Sequence, residues 1–442
     1  MNQPSSRASA VRQLNRIELE GASISDVGEA GIDARDHRQV REYVAGVTRW
    51  RRWLDFVLGQ YYRGDLSAME PTLRQVLRVG LYDLLFLHTP EHAALNEAVQ
   101  LAKTLVRPGA GGLVNAVLRN AQRNQDRLPE PIEDDPAEAL GIRYSHPTWM
   151  VRRWLDRYGR KSTIALLEWN NTRPVYALRV NTLKTDVATM LARCEALGVR
   201  VEPSPYVPEG LRVDALQPLI RGGVLSEGLC TVQDESAMLV VHLLDPQPGD
   251  LVVDVCAAPG GKSFFAASLM RNQGRIVAAD VQPERLSRLE TGMKPLGISI
   301  VETRAMDAAQ PDADLRATAD RVLLDAPCTG LGVLAKRADL RWKRTEEELS
   351  RVVSYQATLL DAAAEMVRPG GLLVYSTCTI APEENEQQVE RFLKRHDQFV
   401  LESAGAFVPE ALVNPLGHLA TLPQRHGIDG AFAARMRRRI SE

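Results

Sequence analysis

Cysteine, long apolar runs and a surplus of either charge are all scarce in this chain of 442 residues. The five cysteines, Cys194, Cys230, Cys256, Cys328 and Cys378, are odd in number and form no Cys-x-x-Cys pair. That argues against a disulfide framework or a zinc site, so no metal is expected. No stretch approaches the roughly 20 apolar residues of a membrane-spanning helix, so no membrane partner is expected either. Met1-Asn2-Gln3-Pro4-Ser5-Ser6 lacks the basic-then-apolar order of a secretory signal. The expected setting is the reducing cytoplasm and the expected form a monomer. A net charge of −2 gives the whole molecule no general attraction for a polyanion.

Charge is instead distributed in clusters. Arg152, Arg153, Arg157, Arg160, Lys161, Arg173, Arg179 and Lys184 face only Asp156 and Glu168 in their stretch. Lys336, Arg337, Arg341, Lys343 and Arg344 form a second cluster, and Arg435, Arg437, Arg438 and Arg439 a third. Basic patches bind phosphate even on a near-neutral protein, and these point to a polyanionic substrate.

The length suits two or three domains. Residues 1–127 read as all-helical: Leu73, Val76, Leu77, Leu81, Leu84 and Leu85 repeat at the spacing of one buried helix stripe. A Pro- and acid-rich stretch from Leu128 to Pro136 has the composition of a linker. Residues 144–230 alternate as a small α+β unit. A helix is expected from Pro147 to Tyr158, a strand over Tyr176–Val180, a helix over Val187–Leu197 and a short strand over Val199–Val201. In residues 231–442, short strands at Leu251–Cys256, Arg275–Asp280, Ile298–Glu302, Arg321–Leu324 and Gly371–Ser376 alternate with helices such as Lys262–Met270 and Ser354–Met366. That order predicts a parallel, doubly wound α/β sheet.

Within that last part, Val252 to Ser263 runs from a strand through Pro259-Gly260-Gly261 into a helix. Glycines let a backbone approach a ligand closely, and a helix start offers free N–H groups. A phosphate-binding Walker loop ending at Gly261-Lys262-Ser263 needs glycine at position 256, where Cys256 stands. The dinucleotide fingerprint Gly-x-Gly-x-x-Gly is missing as well. Asp280 ends the next expected strand, where a carboxylate takes ribose hydroxyls, and Asp307 follows the third. A nucleoside cofactor without a triphosphate fits, with S-adenosylmethionine the leading case.

Two cysteines end expected strands, Cys328 in Asp325-Ala326-Pro327-Cys328 and Cys378 in Ser376-Thr377-Cys378. Cys194, Cys230 and Cys256 read as small apolar side chains. A thiolate added to C6 of a cytosine turns C5 into a carbon that can take a methyl group. Asp325, three residues before Cys328, is placed to steady the charge that develops in the ring. The chemistry alone leaves open which cysteine attacks.

The segments Asp254–Lys262, Asp325-Ala326-Pro327-Cys328-Thr329-Gly330 and Ser376-Thr377-Cys378 resemble the motifs of the RNA cytosine-5 methyltransferases. The resemblance implies that Cys378 is the nucleophile, that Cys328 assists release, and that Asp325 orients the base. It implies cofactor contacts from Cys256, Ala257, Ala258, Pro259, Gly260, Gly261 and Lys262 and from Asp280, Asp307 and Asp325. Leu77–Leu85, Asn96–Val99 and Val114–Arg119 look like the NusB-type helical domain. That domain precedes the catalytic one in the Sun/Fmu-type 16S ribosomal RNA methyltransferases. Arg179–Lys184 and Gln233–Ala237 are similar to the family's middle domain and its junction with the catalytic domain, and Asp429–Phe432 to its closing strand. The implied architecture is an N-terminal all-α NusB-like domain, a small α+β RNA-binding domain and a C-terminal Rossmann-like methyltransferase domain. The implied substrate is 16S rRNA, at the cytosine numbered 967 in the usual scheme. A tRNA cytosine-5 methyltransferase and a catalytically silent RNA-binding protein are the rival readings. The helical module disfavours the first, and the two cysteines beside an intact glycine loop disfavour the second.

Lys336-Arg337-Ala338-Asp339 and Ala431-Phe432 depart from the family's usual pattern. The first 35 or so residues match it poorly, and a partly unstructured segment is expected there.

Overall fold

The structure is a computed structural model that describes residues 5–24, 34–87 and 89–440. It divides into two compact units, Met1–Arg173 with Leu334–Arg344, and Pro174–Val333 with Thr345–Glu442.

The first unit is helical: α1 (Ser6–Leu19), α2 (Ala34–Tyr61), α3 (Pro71–Leu85), α4 (Glu91–Leu105), α5 (Ala110–Arg123), α6 (Pro136–Arg143) and α7 (Thr148–Asn171). The expected stripe on α3 is its buried face, packed with Ala10, Val11 and Leu14 of α1, Val44 and Leu58 of α2, and Leu118 of α5. Helix α1 departs from the expectation of a partly unstructured start only over Ser6–Leu19. Ser5 caps it by accepting from the Ala8 N–H, and its apolar side enters the core. The remainder of that expectation, residues 25–33, lies outside the described residues. Charges on α3 are paired where they are buried. Arg78 bonds Asp55 at 2.6 Å and Glu18 at 2.5 Å, while Asp83 takes Arg7 at 2.8 Å.

The segment Leu334–Arg344, with its one-turn helix α13 (Leu340–Lys343), belongs to this helical unit. For Arg341 this corrects the reading of the second basic cluster as a phosphate-binding surface. Arg341 is wholly buried, and its guanidinium donates to the carbonyls of Arg49, Ser145 and Asn170 and to Asn171 Oδ1, at 2.9–3.2 Å. Trp342 donates to the Thr48 carbonyl, and Lys343 to those of Gly21 and Ala22.

The second unit holds two sheets. A four-stranded antiparallel sheet has the order β2 (Val201–Pro203), β3 (Gly210–Val213), β1 (Tyr176–Val180), β4 (Cys230–Val232), with α8 (Val187–Ala196) and α9 (Gln217–Arg221) between its strands. The larger sheet starts after α10 (Glu235–Leu244). Its parallel strands are β5 (Leu251–Asp254), β6 (Arg275–Asp280), β7 (Val301–Ala305), β8 (Ala319–Asp325) and β9 (Val367–Thr377). Helices α11 (Gly261–Leu269), α12 (Pro283–Met293) and α14 (Glu346–Met366) connect them. After α15 (Glu386–Arg395), β10 (Phe399–Glu402), β11 (Leu419–Ala420), the short α16 (Pro423–His426) and β12 (Phe432–Arg438) complete the unit. Strand β12 runs antiparallel beside β9, so the sheet is mixed where a parallel one was expected. After the α15 crossover β10 lies parallel to β9 one strand's width away, and β12 returns antiparallel to both to fill the place between them.

Side chains alternate across the strands, as period-2 geometry demands. Val252, Ile276, Ala278, Leu323 and Val374 pack toward one face, and Val253, Val277, Val322, Leu324 and Leu373 toward the other. The third basic cluster is partly structural too. Arg435 is buried, bonds Glu402 at 2.7 Å, and donates to the carbonyls of Leu243 and Leu244.

Candidate active site

Strands β5 and β8 are hydrogen-bonded neighbours, yet the chain leaves β5 toward β6 and β7 and returns at β8 on the other side. Open α/β sheets bind ligands outside the carboxyl ends of their strands at such a switch point. Asp254 ends β5, Asp280 ends β6, Asp325 ends β8 and Thr377 ends β9, so every singled-out motif opens at this edge.

The glycine loop follows β5. Gly260 adopts φ +102°, and a Cβ there would stand 2.4 Å from Phe264 and 2.8 Å from Leu289, so only glycine allows this turn into α11. Arg285 on α12 braces the loop by donating to the Ala258 carbonyl at 2.7 Å and pairing with Asp280 at 3.0 Å. Arg179 of β1, read from sequence as part of a basic patch, is buried and donates to the Gly261 carbonyl at 2.5 Å. It braces the loop from the other side. Asp307 lies two residues beyond β7 and accepts from the Ala309 N–H at 2.9 Å.

A cavity of about 220 Å³ is lined by Gln233, Asp254, Cys256, Ala257, Ala258, Pro259, Gly261, Lys262 and Asp325 among others. Asp254 is buried there; Ser263 donates to its Oδ2 at 2.6 Å, while Oδ1 has no partner. An orphaned buried acceptor beside free helix N–H groups and the Asp280 carboxylate fits a ligand with a cationic end and a ribose. The residues therefore fit S-adenosylmethionine.

Burial, reinforced by Asp325 and opposed by the Ser263 bond, raises the Asp254 carboxyl from 3.8 to about 7. Between these values the folded chain holds a proton that the unfolded chain has lost, so stability falls as pH rises through that window and levels off above it. Asp254→Asn is expected to remove this loss. Comparing denaturant unfolding at pH 5 and pH 8, the ligand-free wild type should lose on the order of a few kcal/mol more than the variant.

The loop after β8 carries Cys328 and the loop after β9 carries Cys378, with the two Sγ atoms 3.2 Å apart. Cys378 is exposed and Cys328 partly so. The hydrogen bond to Cys378, then burial, then the charges of Cys378 and Glu384 push the Cys328 thiol well above the ordinary range. Glycine again makes the geometry possible. A Cβ on Gly332 would lie 1.9 Å from the Gly430 carbonyl oxygen, and the Gly332 N–H donates to the Cys378 carbonyl at 3.1 Å. Asp325 sits between thiols and cofactor loop. Lys262 Nζ pairs with its Oδ2 at 2.5 Å and Ser376 donates to its Oδ1 at 2.8 Å. Burial alone would lower Lys262, but Asp325 outweighs it and raises the ammonium above its usual value.

The other three cysteines stand apart from this chemistry. Cys194 and Cys230 are buried in the core of the smaller sheet. Cys256 lines the cavity, and burial pushes its thiol up to about 12. Among the described residues, no group of three or more His, Cys, Asp or Glu gathers as a metal site, and no helix is long and apolar enough to cross a membrane. The sequence reading missed Arg285, Ser376, and the Glu384 side chain that lies behind both cysteines. Arg285 carries a signal, a basic residue five positions after Asp280; Ser376 lies inside the Ser-Thr-Cys motif with no signal of its own.

A helical module, a small antiparallel α/β unit and a mixed sheet with this edge define a methyltransferase with an appended helical domain. Residues 241–437 match the family 16S rRNA methyltransferase RsmB/F, residues 4–123 the NusB family, and residues 146–219 the ferredoxin-like domain of RsmF/B-like methyltransferases. The chain is 37% identical over 408 residues to the probable ribosomal RNA small subunit methyltransferase B of Synechocystis sp., covering 91% of each chain. It is 33% identical over 438 residues to ribosomal RNA small subunit methyltransferase B of Photorhabdus laumondii, covering 98% of each. The crystal structure of PH0851 superposes with a TM-score of 0.82 at 29% identity over 99% of each chain. NSun6 from Pyrococcus horikoshii, solved with the S-adenosylmethionine analogue SFG, superposes with a TM-score of 0.59 at 25% identity, over 67% of this chain and 99% of that one. The chain belongs to the ribosomal RNA small subunit methyltransferase B family, and its cofactor is S-adenosylmethionine.

Proposed function

We propose that this methyltransferase modifies C5 of a cytosine in 16S rRNA through a covalent bond between Cys378 and C6 of the base. The observation that carries the reading is the pair of thiols 3.2 Å apart, beside a carboxylate held by Lys262. Cys256, Ala257, Ala258, Pro259, Gly260, Gly261 and Lys262 would hold the cofactor, and Asp280, Asp307 and Asp325 would contact it.

Cytosine C5 is too weak a nucleophile to act unaided. Addition of the Cys378 thiolate to C6, with a proton taken from water at N3, makes C5 an enamine carbon. Asp325 accepts hydrogen bonds from the N3–H and the exocyclic amine, so the charge spreading through the ring meets a fixed partner. When bound, S-adenosylmethionine supplies an electrophilic methyl group, which C5 takes. Water then takes the C5 proton, N3 gives up its own, and the C5=C6 double bond returns. The C6–S bond breaks with its electron pair going back to Cys378. Cys328, which its surroundings hold as a neutral thiol, donates a hydrogen bond to the departing sulfur. The target base must leave any stack to reach this edge.

Cys328→Ala is therefore expected to accumulate a covalent protein–RNA adduct, visible as a band of lower mobility on a denaturing gel. Turnover should fall by roughly 10²-fold, the size of a lost acid–base contribution. Transfer of a labelled methyl group to 16S rRNA and not to tRNA, and the adduct in this variant but not in Cys378→Ala, support the reading. An adduct that requires Cys328 instead reverses the roles of the thiols.

A further inference from the structure

Behind the two thiols lies a carboxylate that the proposed chemistry leaves unused. Glu384 is wholly buried, two residues before α15. Its Oε2 accepts from the Thr329 N–H at 2.9 Å and from Gln356 Nε2 at 3.0 Å, and its Oε1 accepts from the Thr329 hydroxyl. Thr379 Oγ1 lies 2.9 Å from Thr329 Oγ1 and so reaches the carboxylate through that hydroxyl. Thr329 follows Cys328 directly, and Thr379 follows Cys378 directly. Gln356, from α14, also donates to the Pro327 carbonyl at 2.9 Å, on the other flank of Cys328. The Glu384 backbone is fixed as well, since Tyr375 of β9 donates to its carbonyl at 2.7 Å.

The groups that meet this carboxylate are neutral. A buried acidic side chain surrounded by neutral donors is costly to keep, and burial does raise the Glu384 carboxyl above its usual value. A fold that needed only packing here has cheaper apolar solutions. What the carboxylate does that an apolar side chain cannot is collect both cysteine loops on one group of atoms.

We propose that Glu384 is a positioning residue: with Gln356, Thr329 and Thr379 it clamps the two cysteine loops so that Cys328 stays within hydrogen-bond reach of the sulfur that must leave the base. Its charge also faces Cys328 and favours the protonated thiol that donates that bond. The positioning of both thiols stands on the geometry alone. The consequence for release rests on the covalent reading above.

The test uses the full-length protein with Glu384→Ala and Glu384→Gln. Mild oxidation with diamide takes two electrons and two protons from the thiol pair, and the rate of Cys328–Cys378 disulfide formation gauges their approach without RNA. In Glu384→Ala that rate is expected to fall about tenfold and kcat about 10- to 100-fold, the scale of a roughly 1 Å misplacement. KM for S-adenosylmethionine should stay within about twofold, and the trapped adduct should rise, because attack survives while release slows. In Glu384→Gln one oxygen can still accept from Thr329 and Gln356, so the disulfide rate should recover toward wild type. If Glu384→Ala binds S-adenosylmethionine normally yet matches wild type in disulfide rate and adduct level, the clamp is wrong. If that variant does not bind cofactor, Thr329→Val, which removes the hydroxyl joining Glu384 to Thr379 and keeps the N–H bond, is held to the same outcomes. Absence of any adduct in Cys328→Ala would sink the covalent reading instead, and the disulfide rate would still decide the clamp.

Discussion

Changing Cys378 to serine is expected to lower kcat/KM for RNA methylation by roughly four orders of magnitude or more, the range seen when a covalent nucleophile is removed. The argument is chemical before it is structural. A thiol ionises near neutral pH and is a strong nucleophile once ionised, whereas a serine hydroxyl needs a general base to act. Cys378 has Lys262 and Asp325 near it, but Asp325 is already engaged by Lys262 and Ser376 and so is a poor base for a hydroxyl. The substitution also costs the fold little. Cys378 is exposed, and the neighbouring loop is held through its backbone carbonyl, which serine retains. Cofactor affinity and melting temperature should therefore stay near wild type. Methylation at near-normal speed by this variant would remove the covalent step from the mechanism.

The strands that place this site were legible because their signals are local. Tyr176–Val180 and Arg275–Asp280 are bounded as expected, by turn residues and by β-branched runs. Ile298–Glu302 was shifted: the strand is Val301–Ala305, because Gly297 turns with φ +71° and the chain joins the sheet only after it. Helix α14 begins at Glu346, eight residues before the expected start. Thr345 caps it by accepting from the Glu348 N–H, a Thr-x-x-Glu signature that apolar spacing alone does not reveal. The cofactor loop and both cysteines were readable as motifs, and the sheet gathers them at one edge. Glu384 was not, since its role depends on Thr329 and Gln356, up to 55 positions away, converging on it. Nor was the fate of the arginines. A cluster of positive charge in sequence looks the same whether its guanidinium groups face phosphate or their own chain's carbonyls.

Arg341 decides between those two meanings. If it belonged to an RNA surface, its loss would weaken RNA binding and leave the fold alone. Its burial predicts the reverse. Arg341→Met keeps most of the side-chain volume but strands three acceptors, the carbonyls of Ser145 and Asn170 and the Asn171 amide oxygen, and takes one donor from the Arg49 carbonyl inside α2. Each buried acceptor left unpaired costs roughly 1–3 kcal/mol, and partial access of water keeps the total at about 3–5 kcal/mol. Because the segment Leu334–Arg344 is a small insertion in its unit, the loss should appear first as local opening. Hydrogen exchange of amides 334–344 should accelerate by roughly two to three orders of magnitude, and limited proteolysis should cut there. Arg341→Lys should be nearly as damaging, since one ammonium lacks the planar fork that spans these carbonyls. Intact protection in either variant, with RNA binding lost, would return the cluster to the surface role that its sequence first suggested.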